Sequence, residues 1–220
     1  MFGLDDVIAS HSDGAGLLVV ALVAILLGLR HATDPDHLVA MTTLAPSEPG
    51  ASRAARLGLS WGAGHALTLF AFGLPIVLFN AFLPDRLQQG AETVVGLMII
   101  GLAVWLIVRW QRGDFRASSH THNVRTPLQA FLVGLVHGVG GSAGVGLLLI
   151  APIDSHVYGV IALALLATFT AVSMTLLTTG FGSALARAPL ARIAPALGFA
   201  GIAFGVWYAL GALELAPYVF

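Results

Sequence analysis

Long apolar stretches, each near the ~20 residues that a helix needs to cross a bilayer, alternate with short polar connections along the chain. We predict six transmembrane helices, at residues 16–42, 58–82, 91–110, 128–151, 157–181 and 190–213. The one longer polar stretch is a connector at 111–127. The pattern predicts an all-α integral membrane protein with a single transmembrane domain over residues 1–220.

The first apolar stretch is interrupted by a cluster of ionisable residues: Arg30, His31, Asp34, Asp36 and His37. One such side chain at a helix centre costs ~2.5–3.5 kcal/mol on insertion scales, so the cluster needs a function. Pro35 lies within it, lacks an N–H and clashes with the carbonyl four residues back, which is that of His31. We therefore predict a helix broken at Pro35, with the His31 carbonyl released as a possible oxygen ligand. The break would let His31, Asp36 and His37 face one point.

Two further histidines lie in apolar stretches. His65 is preceded by Gly62 and Gly64, which allow another helix to approach closely, and His137 begins the glycine-rich segment His137–Gly146. Imidazole and carboxylate ligands suit a borderline cation such as Ni²⁺, Co²⁺ or Zn²⁺ better than Mg²⁺ or Ca²⁺. The sequence therefore predicts a metal site within the membrane, with five ligands: His31, Asp36, His37, His65 and His137.

Four neighbouring residues are predicted to support this site: Arg30, Asp34, Pro35 and Ser142. Arg30 either pairs with Asp34 one turn later, which we prefer, or extends to a polar surface. Asp34 is then shared between Arg30 and the metal. Other hydroxyls in the spans should bond to their own helices rather than to metal: Thr68, Thr170, Ser173 and Thr175. Histidines outside the spans should be solvated, with weak metal capture as the alternative: His11, His120, His122 and His156.

The two halves of the chain resemble each other. Three pairs of segments match: Gly28–His31 with Gly134–His137, Gly96–Trp105 with Gly198–Trp207 and, loosely, Ala63–His65 with Ala171–Ser173. Each half contains three spans, an odd number, so the halves must be inverted relative to each other. We predict two inverted three-helix repeats, at about 16–110 and 128–213, an arrangement that is typical of transporters.

Charge distribution predicts the orientation. All ten basic residues are Arg and there is no cysteine, which excludes a lysine Schiff base, a thiolate metal site and a disulfide. Eight arginines lie in or beside the odd-numbered loops and only Arg86 lies on the opposite side. The excess of positive charge predicts that these loops, including the connector, are cytoplasmic and that both termini are outside.

There is no P-loop motif, and we predict no prosthetic group and no nucleic-acid partner.

Two motifs carry a family resemblance. The segment Arg30-His-Ala-Thr-Asp-Pro-Asp-His37 resembles the H-x4-D-H signature of the nickel/cobalt transporter family, and Gly64-His-Ala66 resembles its Gly-His-Ser signature. The likeness covers about a third of the chain. It implies secondary uptake of Ni²⁺ or Co²⁺ without ATP hydrolysis, with four essential positions: His31, Asp36, His37 and His65. The chain departs from the larger members of that family in three ways: it has Ala66 in place of Ser, six spans rather than eight, and no later acidic motif. In these respects it is similar to the smaller UreH-like branch.

The sequence thus predicts a multi-pass permease of the cell membrane for divalent transition-metal ions, most of all Ni²⁺ or Co²⁺. The membrane potential favours entry of a cation by ~2.3 kcal/mol per charge per 100 mV. Two alternatives remain open: export of metal or small solutes, and a membrane-embedded metalloenzyme. An enzyme is the weaker alternative because an H-E-x-x-H signature is absent and little soluble surface is left for a substrate.

Overall fold

The computed structural model describes residues 4–44, 51–79, 84–115, 126–140, 155–185 and 187–217. These residues form seven α-helices: α1 (Leu4–His31), α2 (Pro35–Leu44), α3 (Ala51–Phe79), α4 (Asp85–Gln111), α5 (Pro127–His137), α6 (His156–Leu185) and α7 (Leu190–Ala212). No strand occurs in these ranges. The predicted all-α class is therefore confirmed.

In the described part of the chain, four helices are long and apolar enough to cross a membrane, namely α3, α4, α6 and α7. Gly16–His31 and Pro35–Thr43, which are bent by 44° relative to each other, make a fifth candidate when the pair is counted as one span. The predicted fourth span is represented by α5 alone, and its residues 141–151 lie outside the described ranges. The count of six spans accordingly stays a prediction.

The helices extend beyond the predicted spans. Helix α3 begins at Ala51 instead of residue 58, and α4 begins at Asp85 instead of residue 91. Hydropathy detects only the part of a helix within hydrocarbon, whereas the polar ends continue into the headgroup region. Arg53 and Arg56 therefore lie in the first turns of α3, with exposed side chains, rather than in a loop.

The predicted break in the first span is present. Helix α1 ends at His31 and α2 begins at Pro35, a first helical position where the missing N–H costs nothing. The Asp34 carbonyl accepts the N–H of Leu38 at 3.0 Å and so opens α2. The prediction that the break releases the His31 carbonyl as an oxygen ligand is wrong, because this carbonyl accepts the Asp34 N–H at 3.1 Å.

The helices enclose the break within an apolar shell. Helix α6 packs against α1 and α3, α3 also packs against α5, and α4 packs against α7, while α2 contacts α4, α6 and α7. The buried cluster around the break contains mostly small and medium side chains: Ala32, Ala40, Met41, Leu57, Trp61, Leu102, Ala130 and Met174. Exposed apolar side chains such as Leu26, Leu176 and Phe199 lie on the outside, as a lipid-facing surface requires.

Glycines permit the tightest of these helix contacts. A Cβ at Gly64 would meet the carbonyl of Phe131, and one at Gly134 would meet the carbonyl of Trp61, so α3 and α5 touch along their backbones. A Cβ at Gly62 would meet the backbone of Ala171 in α6. The close helix approach predicted from the glycines before His65 is therefore confirmed for two neighbouring helices.

Two hydroxyl groups bind the ends of the helices that lead to the break. Ser173 of α6 donates to the carbonyl of Leu29 at 2.7 Å, and Thr68 of α3 donates to the carbonyl of Leu135 at 3.0 Å. Each leucine lies two residues before the histidine that ends its helix. Ser173 thus makes the same kind of contact in α6 that Thr68 makes in α3, whereas the loose sequence match aligns Ser173 with His65.

We expect Gly134→Ala to lower the free energy of unfolding by about 1–3 kcal/mol, because its methyl group meets α3 backbone that cannot rotate away. Thermal unfolding in detergent, followed by circular dichroism, measures the effect. Gly180→Ala in α6 is the matched control, since none of the described residues has an atom within 4 Å of its added Cβ. Equal melting temperatures for the two variants would contradict the proposed close contact.

Candidate metal centre

The five residues predicted as ligands lie together in the protein interior. Three are fully enclosed, His37, His65 and His137, while His31 is 6% and Asp36 is 4% exposed. They come from four helices: His31 ends α1, Asp36 and His37 begin α2, His65 lies in α3 and His137 ends α5. This group is termed the histidine chamber below.

Two helix C-termini meet in the chamber, since α1 and α5 each end at a chamber histidine. The last carbonyls of a helix carry partial negative charge and stabilise a nearby cation. Helix α5 ends at His137, with Gly138 as its C-cap, and α1 ends at His31. The N-terminus of α2 lies there as well, with the opposite partial charge and with Asp36 in its first turn, so it partly offsets the attraction of the two C-termini for a cation.

Hydrogen bonds connect the chamber residues in two sets. The Nε2 atoms of His31 and His65 lie 2.9 Å apart, which joins α1 to α3. Asp36 accepts from His37 Nδ1 at 3.1 Å through Oδ1 and from His137 Nε2 at 3.0 Å through Oδ2. The carboxylate thus orients two imidazoles and connects α2 to α5. The rings of His37 and His137 are stacked, with centroids 4.3 Å apart.

Three buried ring nitrogens have no hydrogen-bond partner among the described residues: His37 Nε2, His65 Nδ1 and His137 Nδ1. An unmatched buried polar atom costs ~1–3 kcal/mol, so these positions are expected to serve a ligand. The lone pair of a neutral imidazole nitrogen binds a borderline metal ion such as Ni²⁺, Co²⁺ or Zn²⁺. The residues of the chamber therefore fit such an ion.

The ligand atoms fall into two overlapping groups. One consists of His31, His37 and His65, and the other of Asp36, His37 and His137. Within each group the ligand atoms lie within 4.8 Å of one another. Small side-chain rotations would let the three donors of either group converge on one ion, and His37 belongs to both groups.

Trp61 is a chamber residue that the sequence analysis did not identify. Its indole is 1% exposed, and its ring centroid lies 5.9 Å from that of His37 and 5.8 Å from that of His137. Its Nε1 has no hydrogen-bond partner in the described ranges. The available signal was its position four residues before His65, which puts both side chains on one face of α3.

Arg30 and Asp34 support the chamber from one side. The expected pair is present, with 3.6 Å between Arg30 Nη2 and Asp34 Oδ1, although the arginine side chain is 69% exposed. The other oxygen of Asp34 lies 3.4 Å from Nδ1 of His31. A carboxylate behind an imidazole fixes its orientation, which is the usual arrangement behind a metal-binding histidine.

The remaining residues singled out in the sequence lie either outside the described ranges or at described positions away from the chamber. Ser142, His120 and His122 lie outside the described residues, as does the side chain of His11. Rather than being free in solvent, His156 donates through Nδ1 to the carbonyl of Val77 at 3.0 Å. The hydroxyls of Thr170 and Thr175 bond to their own helix as expected. The same expectation is wrong for Ser173, and Thr68 bonds both to its own helix and to α5.

A family model described as "NicO: High-affinity nickel-transport protein" matches residues 17–134, more than half of the chain. The chain belongs to the NicO family. The matched residues include both motifs found in the sequence and end three positions before His137. Membership confirms the resemblance to nickel/cobalt transporters and a multi-pass location in a membrane, and it implies a transporter rather than an enzyme.

Two relatives of this NicO protein resemble most of its length. It is 26% identical over 180 residues to the urease accessory protein UreH of Bacillus sp. (strain TB-90), covering 77% of the chain and 79% of that relative. It is 27% identical over 169 residues to a protein of Methanocaldococcus jannaschii provisionally named as a nickel/cobalt efflux system, covering 74% and 76%. No solved structure matches the chain at a significant level.

Asp36→Asn is expected to weaken Ni²⁺ binding by roughly 10–100-fold, because the amide loses the charge and one of the two oxygens that orient imidazoles. Calorimetric titration of the purified protein in detergent measures the affinity. Asp85→Asn removes the same charge at the exposed start of α4 and serves as the control. Indistinguishable affinities for the two variants would exclude a role of Asp36 in the chamber.

Pro35→Ala retains every chamber side chain but restores an N–H that can bond the His31 carbonyl. The first span should then straighten, and Ni²⁺ should bind about tenfold more weakly because the α2 ligands turn away from His31. Pro195→Ala within α7 is the control for loss of a helix proline. Wild-type affinity in Pro35→Ala would show that the break does not position the ligands.

Proposed function

We propose that this NicO protein is a permease that carries Ni²⁺, or Co²⁺, into the cell through the histidine chamber. The observation that carries the proposal is the convergence of four buried imidazoles and one carboxylate at two helix C-termini. The family description, a high-affinity nickel-transport protein, supports the choice of metal. Family membership and donor chemistry thus indicate the same class of substrate.

In this proposal the hydrated ion exchanges water for imidazole and carboxylate ligands in the chamber. The two helix C-termini reduce the cost of bringing a divalent charge into the protein. A membrane potential that is negative inside favours entry by ~2.3 kcal/mol per charge per 100 mV, so a divalent ion gains about twice that amount. Uptake therefore needs no nucleotide, which agrees with the absence of a P-loop motif.

We further propose that the protein consists of two inverted three-helix repeats. The α4–α7 contact supports this, because Gly96 lies against Gly205 and Ala209 in the same way as Gly198 lies against Ala103 and Ile107. If Gly96 corresponds to Gly198, then Ala103 corresponds to Gly205 and Ile107 to Ala209. The two glycines therefore make the same contacts with the roles of α4 and α7 exchanged. The pairing of α1 with α6 likewise mirrors that of α5 with α3.

The hydroxyl contacts support the same repeat. Thr68 holds Leu135 before His137, and Ser173 holds Leu29 before His31. In this arrangement the two halves supply corresponding histidines at the ends of corresponding helices. Alternating access then corresponds to movement of one repeat against the other around the chamber.

The proposed orientation has both termini outside the cell. The start of α3 packs against the end of α6, since Gly58 contacts Thr175 and Thr178, and Trp110 near the end of α4 bonds the carbonyl of Ala191. These pairings bring most arginines to one end of the bundle: Arg53, Arg56, Arg109, Arg112, Arg187 and Arg192. Positive charge favours the cytoplasmic side. The end of α7 lies at the opposite face, beside the start of α4.

Metal export is the second candidate, because the M. jannaschii relative carries a provisional efflux name. The same chamber could serve either direction, since a binding site does not by itself fix the direction of flow. The direction depends on the gradient, the membrane potential and any coupled ion. Transport measurements with defined gradients separate the two candidates.

Purified protein in liposomes with an inside-negative potential should accumulate Ni²⁺ and Co²⁺ in preference to Mn²⁺, and His37→Ala should reduce the rate at least ~10-fold. His156→Ala, which removes an imidazole outside the chamber, should leave transport near the wild-type rate. A fluorescent metal indicator inside the liposomes gives the readout. Transport only down an outward gradient would favour export, and no transport of any ion in either direction would refute the permease.

A further inference from the structure

We infer that the histidine chamber holds its metal ion in two successive positions that share His37. This inference rests on the proposed function, and it adds a second position that the family match does not supply. The observation behind it is that the five buried ligands fall into two compact groups rather than one. The rings of His65 and His137, which belong to different groups, have centroids 6.0 Å apart.

The first position is formed by His31, His37 and His65, which belong to α1, α2 and α3. It is closed by the contact between the Nε2 atoms of His31 and His65, which lie 2.9 Å apart. An ion that binds here replaces that contact and uses nitrogens already turned toward each other. His37 Nε2 and His65 Nδ1 have no hydrogen-bond partner in the described part of the chain.

The second position is formed by Asp36, His37 and His137 and brings in α5. It is closed by the 3.0 Å hydrogen bond between His137 Nε2 and Asp36 Oδ2. An ion that binds here replaces the hydrogen bond that connects α2 to α5. An ion here has two imidazoles and a carboxylate, whereas the first position offers three imidazoles, which a borderline ion such as Ni²⁺ prefers at rest.

The two positions cannot be filled together, because two divalent charges that share one imidazole repel each other strongly in a buried site. An ion in the first position can reach the second through His37, whose ring is stacked on that of His137 at 4.3 Å. The transfer moves the ion from ligands on α1–α3 to a position completed by α5. Filling the first position loosens the α1–α3 contact, and filling the second loosens the α2–α5 contact.

This arrangement gives His137 a different role from His65. His65 belongs to the first position and determines capture, whereas His137 belongs only to the second and determines onward transfer. The residues matched by the family model end at position 134, so they contain the first position completely and lack His137. The second position is therefore completed by a residue of α5 that lies outside the matched range.

The test compares His137→Ala with His65→Ala in three measurements on the full chain. Calorimetry with Ni²⁺ should show His137→Ala within about threefold of the wild type and His65→Ala at least ~10-fold weaker. X-ray absorption at the nickel edge should show an unchanged number of imidazole ligands in His137→Ala and one fewer in His65→Ala. Liposome uptake should nevertheless fall at least ~10-fold in both variants.

A single site with five ligands predicts another result, namely that both variants lose affinity and one imidazole ligand alike. That outcome overturns the inference, as does wild-type uptake by His137→Ala. If His137→Ala fails to fold, His137→Gln keeps an amide donor near the position of Nε2 for Asp36 and carries the same expectations. A wild-type protein that binds Ni²⁺ but transports none refutes the proposed function, whereas the absorption spectra still decide between one position and two.

Discussion

Pro35 cannot donate a backbone hydrogen bond to the carbonyl of His31, and the first helix ends at His31 with a new one beginning at Pro35. The chain turns through 44° instead, and this bend brings side chains from two consecutive helical segments to one point. In an unbroken helix, Asp36 and His37 would face away from His31. The cluster of ionisable residues is tolerated in an apolar span because the break lets its members satisfy one another.

Asp36 makes the central hydrogen bonds of this cluster. One oxygen holds His37 in the next position of the chain, and the other holds His137 across the bundle. A buried carboxylate that lost both partners would be strongly unfavourable, so the contact between α2 and α5 has an electrostatic as well as a packing basis. The glycine contacts of α3 with α5 make the geometry possible, since a side chain at Gly134 would separate the two helices.

Local chemistry predicted the break and the cluster well, because both depend on residues that are close in sequence. The absent N–H of Pro35 acts on its own turn, and a polar residue in an apolar run is visible without a structure. Trp61 was missed because an aromatic residue in a span normally packs against lipid or core, and only tertiary contacts place it beside His37. The similar contacts that Thr68 and Ser173 make were also not predicted, since short hydroxyl residues can be aligned equally well in several registers.

The chamber combines two requirements that usually conflict. A site that binds an ion tightly needs fixed ligands, whereas passage of the ion needs ligands that can exchange. Here the fixed part is the backbone, held by glycine contacts and by the hydroxyls that bind the ends of α1 and α5. The exchangeable part consists of single hydrogen bonds between side chains, each of which an ion can replace with a stronger bond to metal. The ion can therefore exchange ligands within the chamber before one repeat moves against the other.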